Sequence, residues 1–330
     1  MAIRVGVIGR GMAGQVFHAP LIRAVPELEL AGLAGSDGVA AMLADPGIEL
    51  VVVATPNETH FSLARAALAA GKHVVVDKPF TVTAAEGEAL IALAADRGRL
   101  LTVFQNRRWD GDFLTVRELL AGRRLGELLL YEAHWDRFRP AIKPGWREVP
   151  GVGAGLLWDI GPHMIDQALL LFGLPDALSA DIAVQRAEAS VDDYFRLTLH
   201  YGRMRAVLGA SNLVAEPRPG FDLHGTAGSF RKYRLEPQEA ALKAGIDPLE
   251  PGFGEDRPET YGRLTGDRIW EPVPTRAGRY LAFYEGVAAS IRDGATPPVD
   301  PADALAGLLI LDLARASART GRRIQVPARA

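Results

Sequence analysis

From its third residue the chain repeats one pattern: a short unbroken apolar run, then a longer stretch rich in alanine and leucine. The apolar runs cover 3–8, 28–34, 50–54, 73–76 and 100–104. Runs this short, without polar alternation, predict strands buried on both faces. The stretches at 14–25, 60–70 and 83–97 have helical spacing, and Thr83 with Glu86 forms a capping box at the start of the last. Strand and helix alternating through short connections predict a doubly wound parallel sheet. One crossover is curtailed. About fifteen residues separate Ala34 from Leu50, near the minimum for a parallel connection, and 39–44 alone can supply helical turns there.

Beyond Phe104 the period changes. Residues 127–135, 178–186, 193–201 and 204–212 read as longer strands with period-two character, as where Phe195, Leu197 and Leu199 alternate with Arg196, Thr198 and His200. That predicts an antiparallel sheet with one covered face. Residues 155–172 and 301–318 are helical in spacing, and 245–257, rich in Pro, Gly and acid, predicts a surface loop. The expected fold class is α/β, a Rossmann domain over 1–104, followed by an α+β domain over 105–330 with a large open, mainly antiparallel sheet. A chain of 330 residues is long for one core, which agrees with two domains.

The first strand runs directly into Gly9-Arg10-Gly11-Met12-Ala13-Gly14. In G-x-G-x-x-G the first glycine permits the tight turn. The second lets backbone amides approach a pyrophosphate, and the third lets helix pack closely on strand. With a strand before and a helix after, the motif predicts a dinucleotide site, the phosphates lying at a helix N-terminus.

Two further segments follow strands at the carboxyl end of the sheet, where open α/β folds place ligands. In Thr55-Pro56-Asn57-Glu58-Thr59-His60 the proline stops the strand, and Asn57 or Thr59 can either cap the next helix or touch a cofactor. In Asp77-Lys78-Pro79 the lysine can reach the crevice as a hydrogen-bond donor, and Lys78-Pro79 is a candidate cis bond. Further along the chain, Asp159, His163 and Asp166 fall on one helix face despite Pro162. A carboxylate one turn from an imidazole is a unit of acid–base chemistry, or else a structural pair. Without a second histidine nearby, a metal site is not expected.

Composition narrows the partners. The net charge of −3 disfavours nucleic acid and anionic membrane. The absence of cysteine excludes disulfides, thiolate catalysis and thiolate-held metals. The N-terminus enters the first strand at once and no apolar run approaches membrane-spanning length, so a cytoplasmic protein is expected.

Taken together these residues resemble the Gfo/Idh/MocA family of NAD(P)-dependent oxidoreductases over essentially the whole chain. The resemblance rests on the glycine loop, on 54–57 with His60, on 70–74, on Asp77-Lys78-Pro79 and on 153–166. Residues 105–110, Trp146-Arg147, 161–167 and His224-Gly225-Thr226 resemble the branch of NADP-dependent scyllo-inositol dehydrogenases. The resemblance implies a catalytic lysine at Lys78 and a catalytic Asp159 and His163. It implies cofactor contacts from Gly9, Arg10, Gly11, Met12, Gly14, Ser36, Thr55, Pro56, Asn57, His60, Asp77, Lys78, Asn106 and Arg107. Trp146 and Arg147 would join Asp159 and His163 around a polyol, inositol or sugar substrate. It also implies a homodimer or homotetramer built through the C-terminal sheet, whose outward positions should then be unusually apolar.

Three features depart from the family: Asp77 where it usually has glutamate, the short second crossover, and Gly35-Ser36-Asp37 at the end of the second strand. An acid at that end binds the ribose 2′-hydroxyl of NAD, whereas a nearby arginine accommodates the 2′-phosphate of NADP. Gly35 and Ser36 favour NADP and Asp37 favours NAD, so NADP is the expected cofactor with NAD as the alternative. The expected reaction is hydride transfer between nicotinamide and a carbinol carbon. The alternatives are a glycosidase or lyase using transient oxidation by retained NAD, and a non-catalytic nucleotide sensor.

Overall fold

The apolar runs near the N-terminus become five parallel strands: β1 (Ile3–Ile8), β2 (Leu28–Ala34), β3 (Leu50–Val53), β4 (His73–Asp77) and β5 (Leu101–Phe104), in the order β2-β1-β3-β4-β5. Leu50 to Val53 and Val74 to Val76 have no exposed surface, the environment that unbroken valine runs are suited to. The computed structural model describes residues 2–143, 145–233, 236–267 and 269–327.

The helix after β1 departs from a regular spiral. It winds as a π-helix over Ala13–His18 before α1 (Ala19–Arg23), with the Ala19 amide donating to the Gly14 carbonyl five residues back. Pro20 has no amide hydrogen for Val16, so a regular α-helix would lose a bond here. The curtailed crossover contains α2 (Val39–Ala44), whose Met42 packs on Gly6 where a Cβ would stand 2.6 Å from the sulfur. The loop after α2 is held by buried Lys72, which donates to the carbonyls of Asp45 (2.7 Å) and Ile48 (2.9 Å). Helices α3 (His60–Ala69) and α4 (Ala84–Asp96) complete the alternation. Thr83 caps α4 by accepting from the Glu86 amide at 3.3 Å, while the Glu86 carboxylate returns to Val82 rather than to Thr83.

The chain divides into two units. The first holds Met1–Asp110, Pro237–Gly254 and Gly278–Leu308, and the second holds Gly111–Glu236, Glu255–Ala277 and Leu309–Ala330. Helices α5 (Gly111–Ala121) and α6 (Leu156–Phe172) belong to the second unit, α7 (Pro237–Lys243) and α8 (Leu281–Asp293) to the first, and α9 (Pro301–Thr320) has residues in both.

The second unit is built on a nine-stranded sheet. Its strands are β6 (Leu128–Asp136), β7 (Ala177–Ala183), β8 (Tyr194–Tyr201), β9 (Met204–Ser211), β10 (Phe221–Gly225), β11 (Ser229–Lys232), β12 (Gly262–Gly266), β13 (Ile269–Val273) and β14 (Ile324–Gln325). Their order is β13-β12-β11-β10-β6-β9-β8-β7-β14, antiparallel except where β6 runs parallel to β9. Alternation decides the two faces. Tyr131, Ala133, Phe195, Leu197, Leu199, Ala206, Leu208, Phe221 and Leu223 are fully buried on one face, and α6 packs on β8 and β9.

The other face corrects one expectation. It is not enriched in apolar side chains. It carries a lattice of charge instead: Glu132 opposite Arg196 (3.9 Å), Asp136 held by Arg218 (2.8 Å) and Asp222 held by Arg231 (2.7 Å). His134 is nearly buried in this lattice. Burial first, then the charge of Arg218, lowers its pKa to about 4.

One buried ion pair fixes a long loop. Arg186 donates to Asp193 (2.8 Å) and Glu148 (2.7 Å), and its Nη1 lies 3.4 Å from the carbonyls of Arg139 and Ala141. Burial alone would raise the Asp193 pKa, but the bonds from Arg186 and from the amides of Gln185 and Arg186 outweigh it and hold the carboxyl below its usual range. A carboxyl depressed in the folded state stabilises above its unfolded value, and the contribution is lost as pH falls through the folded one. Replacing Arg186 with methionine leaves the buried Asp193 carboxylate without its cation, so a loss of about 3–5 kcal/mol in urea unfolding at neutral pH is expected. The deficit should shrink as the medium is acidified, and an undiminished deficit in acid would contradict the pairing.

Candidate active site

The glycine loop is a cradle at the end of β1. A Cβ on Gly9 would stand 2.1 Å from the Ala54 carbonyl oxygen, and one on Gly14 would stand 2.0 Å from the Gly9 carbonyl oxygen. Neither position admits a side chain. At Gly11, by contrast, no atom of the described residues beyond its chain neighbours lies within 4 Å of a Cβ position. The strand and helix are therefore pressed together below, while the exposed middle of the loop keeps room for a bulky anion. Met12 lies on this loop, 55% exposed, and Arg10 reaches from it to β2, its Nε 3.4 Å from the Leu33 carbonyl oxygen. These features fit a dinucleotide diphosphate.

The loops after β3 and β4 are tied to each other. Buried His60 sits with Nδ1 2.8 Å from the Pro79 carbonyl oxygen and Nε2 3.0 Å from that of Thr55. The Thr59 hydroxyl donates to the Pro56 carbonyl (2.7 Å), and Asn57 is buried beside it in sequence. His60 thus acts as a strut that fixes both crevice loops. The Lys78–Pro79 bond is cis, and the Lys78 amide donates to the Asp77 carboxylate at 2.8 Å. Behind Asp77 lies His18, fully buried, with Nε2 3.8 Å from Asp77 and Nδ1 2.6 Å from the Tyr284 hydroxyl. Burial would raise the Asp77 pKa, but His18, Lys78 and His60 together lower it. Asp77 thus stays ionised beside the lysine.

Asn106 and Arg107 are both buried. The Arg107 guanidinium donates to the Tyr280 hydroxyl at 2.8 Å and to Glu239, and lies 3.5 Å from Asp110. Burial opposes ionisation of Glu239, but Arg107 and Lys243 bring its pKa down to about 2. These contacts place Arg107 in a buried network inside the first unit.

In the second unit, α6 starts at Leu156 and keeps Pro162 in its interior. Its first amides are capped from another loop: Leu156 donates to the Asp192 carbonyl (2.8 Å) and Leu157 to the Asp192 carboxylate (2.6 Å). Gly155, at φ 94°, makes this approach possible, because a Cβ there would stand 2.2 Å from the Asp192 carboxylate. One turn along, Asp159 lies between two guanidinium groups, Arg147 Nε at 3.3 Å and Arg137 Nη1 at 3.4 Å. His163 follows one further turn on, 7% exposed, its ring 6.1 Å from Trp135 and nearly parallel to it. Arg147 also lies over the Trp146 ring at 4.5 Å.

A cavity of about 210 Å³ opens beside the start of α6, walled by Arg137, Arg139, Lys143, Trp146, Arg147, Asp159, Asp192 and Asn212 among others. The Asn212 side-chain oxygen is buried without a hydrogen-bond partner among the described residues. A cavity lined by guanidinium, carboxylate and amide groups around one indole suits a small molecule with many hydroxyls. Of the four residues expected around a substrate, Trp146, Arg147 and Asp159 line this cavity, and His163 is not among its lining residues. Arg137, Asp192 and Asn212 escaped sequence reasoning because they come from strand ends and loops distant in sequence. His18 escaped because a histidine inside a helix resembles a core residue.

The two halves of the chain match two family models: the NAD-binding Rossmann fold of the Gfo/Idh/MocA oxidoreductases over residues 3–105, and their C-terminal alpha/beta domain over 117–326. The chain is 39% identical to scyllo-inositol 2-dehydrogenase (NADP(+)) IolW of Bacillus subtilis, across 98% of this chain and 96% of that protein. It is 42% identical to the oxidoreductase YdgJ of Escherichia coli, across 96% of each. Among solved structures, the oxidoreductase YvaA of Bacillus subtilis superposes with a TM-score of 0.95 at 39% identity, covering 99% of both chains. With its glycine cradle, its parallel sheet and its large mixed sheet, the chain belongs to the Gfo/Idh/MocA family of NAD(P)-binding oxidoreductases.

Proposed function

We propose that this oxidoreductase interconverts a secondary alcohol and a ketone on an inositol, another polyol or a sugar, with NADP preferred over NAD. The observation that carries the proposal is the small polar cavity on α6, where Asp159 is fixed between Arg137 and Arg147. Such a wall offers charged donors and a charged acceptor to hydroxyl groups, and little to an apolar chain. The likeness to an inositol dehydrogenase supports the same substrate class.

The bound nicotinamide supplies the site that accepts or donates hydride. The chain's own residues handle the proton and the position. His163 takes the hydroxyl proton on an imidazole nitrogen as the carbinol carbon gives up hydride, and returns it in the reverse direction. Lys78 donates a hydrogen bond to the substrate oxygen as it becomes a carbonyl. Asp159 helps to orient His163 and stabilise its protonated form. Its arginine partners hold that carboxylate in place. Arg147 and Trp146 hold the remaining hydroxyls. Asp77, set back by one methylene from the family's usual glutamate, leaves Lys78 in its position.

A panel of inositols, other polyols and aldoses, each tested with both cofactors by nicotinamide absorbance, tests this function. Turnover of at least one, faster with NADP than with NAD, is expected. Inactivity on every member would refute the substrate class. Lys78→Ala and His163→Ala should each lower kcat by about a hundredfold or more, while titration of the reduced cofactor changes little. Normal turnover in either variant would remove it from the mechanism.

Alcohol oxidation should rise with pH through a single ionisation, and ketone reduction should fall over the same range, because the neutral imidazole accepts the proton and the protonated one returns it. Asp159→Asn should move both limbs to lower pH and slow both directions. Profiles that stay level across the neutral range in both directions would exclude His163 as the acid–base group. We also propose that the protein forms a dimer, or a dimer of dimers, through the outer face of its large sheet. Light scattering at micromolar concentration should give at least twice the monomer mass, and a monomer would refute it.

A further inference from the structure

A cation reaches the end of β2 from the glycine loop. Arg10 occupies the variable position between Gly9 and Gly11. Its Nε is 3.4 Å from the Leu33 carbonyl oxygen, one residue before the end of β2. Its Nη1 lies 3.5 Å from the Asp37 carboxylate. Between them is Gly35, where a Cβ would stand 2.9 Å from Asp37 Oδ1 and 3.3 Å from Arg10 Nη1. The chain then closes at once, with the Gly38 amide donating to the Gly35 carbonyl at 3.1 Å. The connection between β2 and β3 holds no helix besides α2, so Ser36 and Asp37 are the side chains it offers at this turn.

We infer that Arg10 is the residue that recognises the 2′-phosphate of NADP, and that Asp37 occupies its guanidinium until that phosphate displaces it. With Nε directed to a backbone carbonyl, the two Nη groups provide the fork that a phosphomonoester accepts. Ser36, exposed on the same turn, adds a hydroxyl donor. Gly35 stands where an NAD-reading fold places its acid, so nothing there repels the phosphate. Asp37 works in the other direction. Arg10 and Asp37 are 56% and 76% exposed, and a pair so exposed is weak, so a dianionic phosphate can compete for the guanidinium. Discrimination between the cofactors is then a contest between one phosphate and one carboxylate for a single arginine.

The inference rests on the chain's binding NAD(P), not on its polyol substrate, so it is tested by binding alone. NADPH and NADH are titrated by quenching of tryptophan fluorescence in the wild type and in Arg10→Ala, Arg10→Lys, Asp37→Asn and Gly35→Asp. Loss of a charge-assisted fork predicts that Arg10→Ala weakens NADPH by about tenfold to a hundredfold, with NADH changed far less. Arg10→Lys should fall between, keeping the charge but not the fork. Asp37→Asn should tighten NADPH, and Gly35→Asp should weaken it. Adenosine 2′,5′-bisphosphate should displace NADPH from the wild type far better than inorganic phosphate does, which separates the nucleotide's phosphate from a free one. Equal weakening of both cofactors by Arg10→Ala would reduce Arg10 to a support of the glycine loop. Unchanged NADPH binding in that variant, or weaker NADPH binding in Asp37→Asn, would overturn the inference. Inactivity on every polyol tested would leave it standing.

Discussion

Two adjacent carboxylates, Asp192 and Asp193, hold the cavity of the second unit in shape. The first caps the start of α6, with backbone and side chain both accepting from its leading amides. The second anchors Arg186, which reaches the loop carrying Arg139, Lys143, Trp146 and Arg147. One wall of the cavity is therefore the helix held by Asp192, and the facing wall is the loop held through Asp193. The two demands differ in kind. Burial pushes the Asp192 pKa up against its bond from Leu157, whereas Asp193 is held low by a guanidinium. A single dipeptide thus satisfies a helix terminus and a buried cation, groups that cannot be left unpaired at small cost.

The first unit solves a related problem with backbone alone. Gly9 and Gly14 let strand and helix approach until no side chain fits between them, and His60 ties the loops after β3 and β4 through two carbonyl contacts. In both units the rigid parts are made of backbone groups and buried ions. Of the residues assigned to the reaction and to cofactor choice, Lys78, Asp159 and Arg10 stand partly exposed at their edges, while His163 is buried. Geometry of this sort suits a catalyst whose contribution is position and charge.

Much of the frame was legible because it follows from period and punctuation. Unbroken valine runs can only be doubly buried strands, and the alternation of Phe195, Leu197 and Leu199 with polar neighbours placed one face of the large sheet correctly. Strands β10 to β14 went unseen because five residues or fewer carry too little pattern. The outer face was misjudged for another reason. Alternation shows that a residue points outward, but not that outward residues will pair with one another as Glu132 and Arg196 do. At the site, Asp159 was legible from its helical register, while Arg137 and Asn212 were not. The return of the chain to the first unit through α7 and α8 leaves no local mark on the sequence.

The charge lattice on the outer face of the large sheet bears on how such a surface would behave in an assembly. An apolar face holds its partner more firmly as salt is added, because water is the component being driven out. A face of paired Glu132, Asp136, Arg196, Arg218, Asp222 and Arg231 behaves oppositely. Its attractions fade as the Debye length shrinks from about 10 Å at 0.1 M to about 3 Å at 1 M, and ordered water would bridge ion pairs that do not meet directly. Two copies joined there would form a wet, ionic-strength-sensitive contact. Their register would be set by matching charges, with little penalty when they part, because each charge keeps its own partner within its own chain.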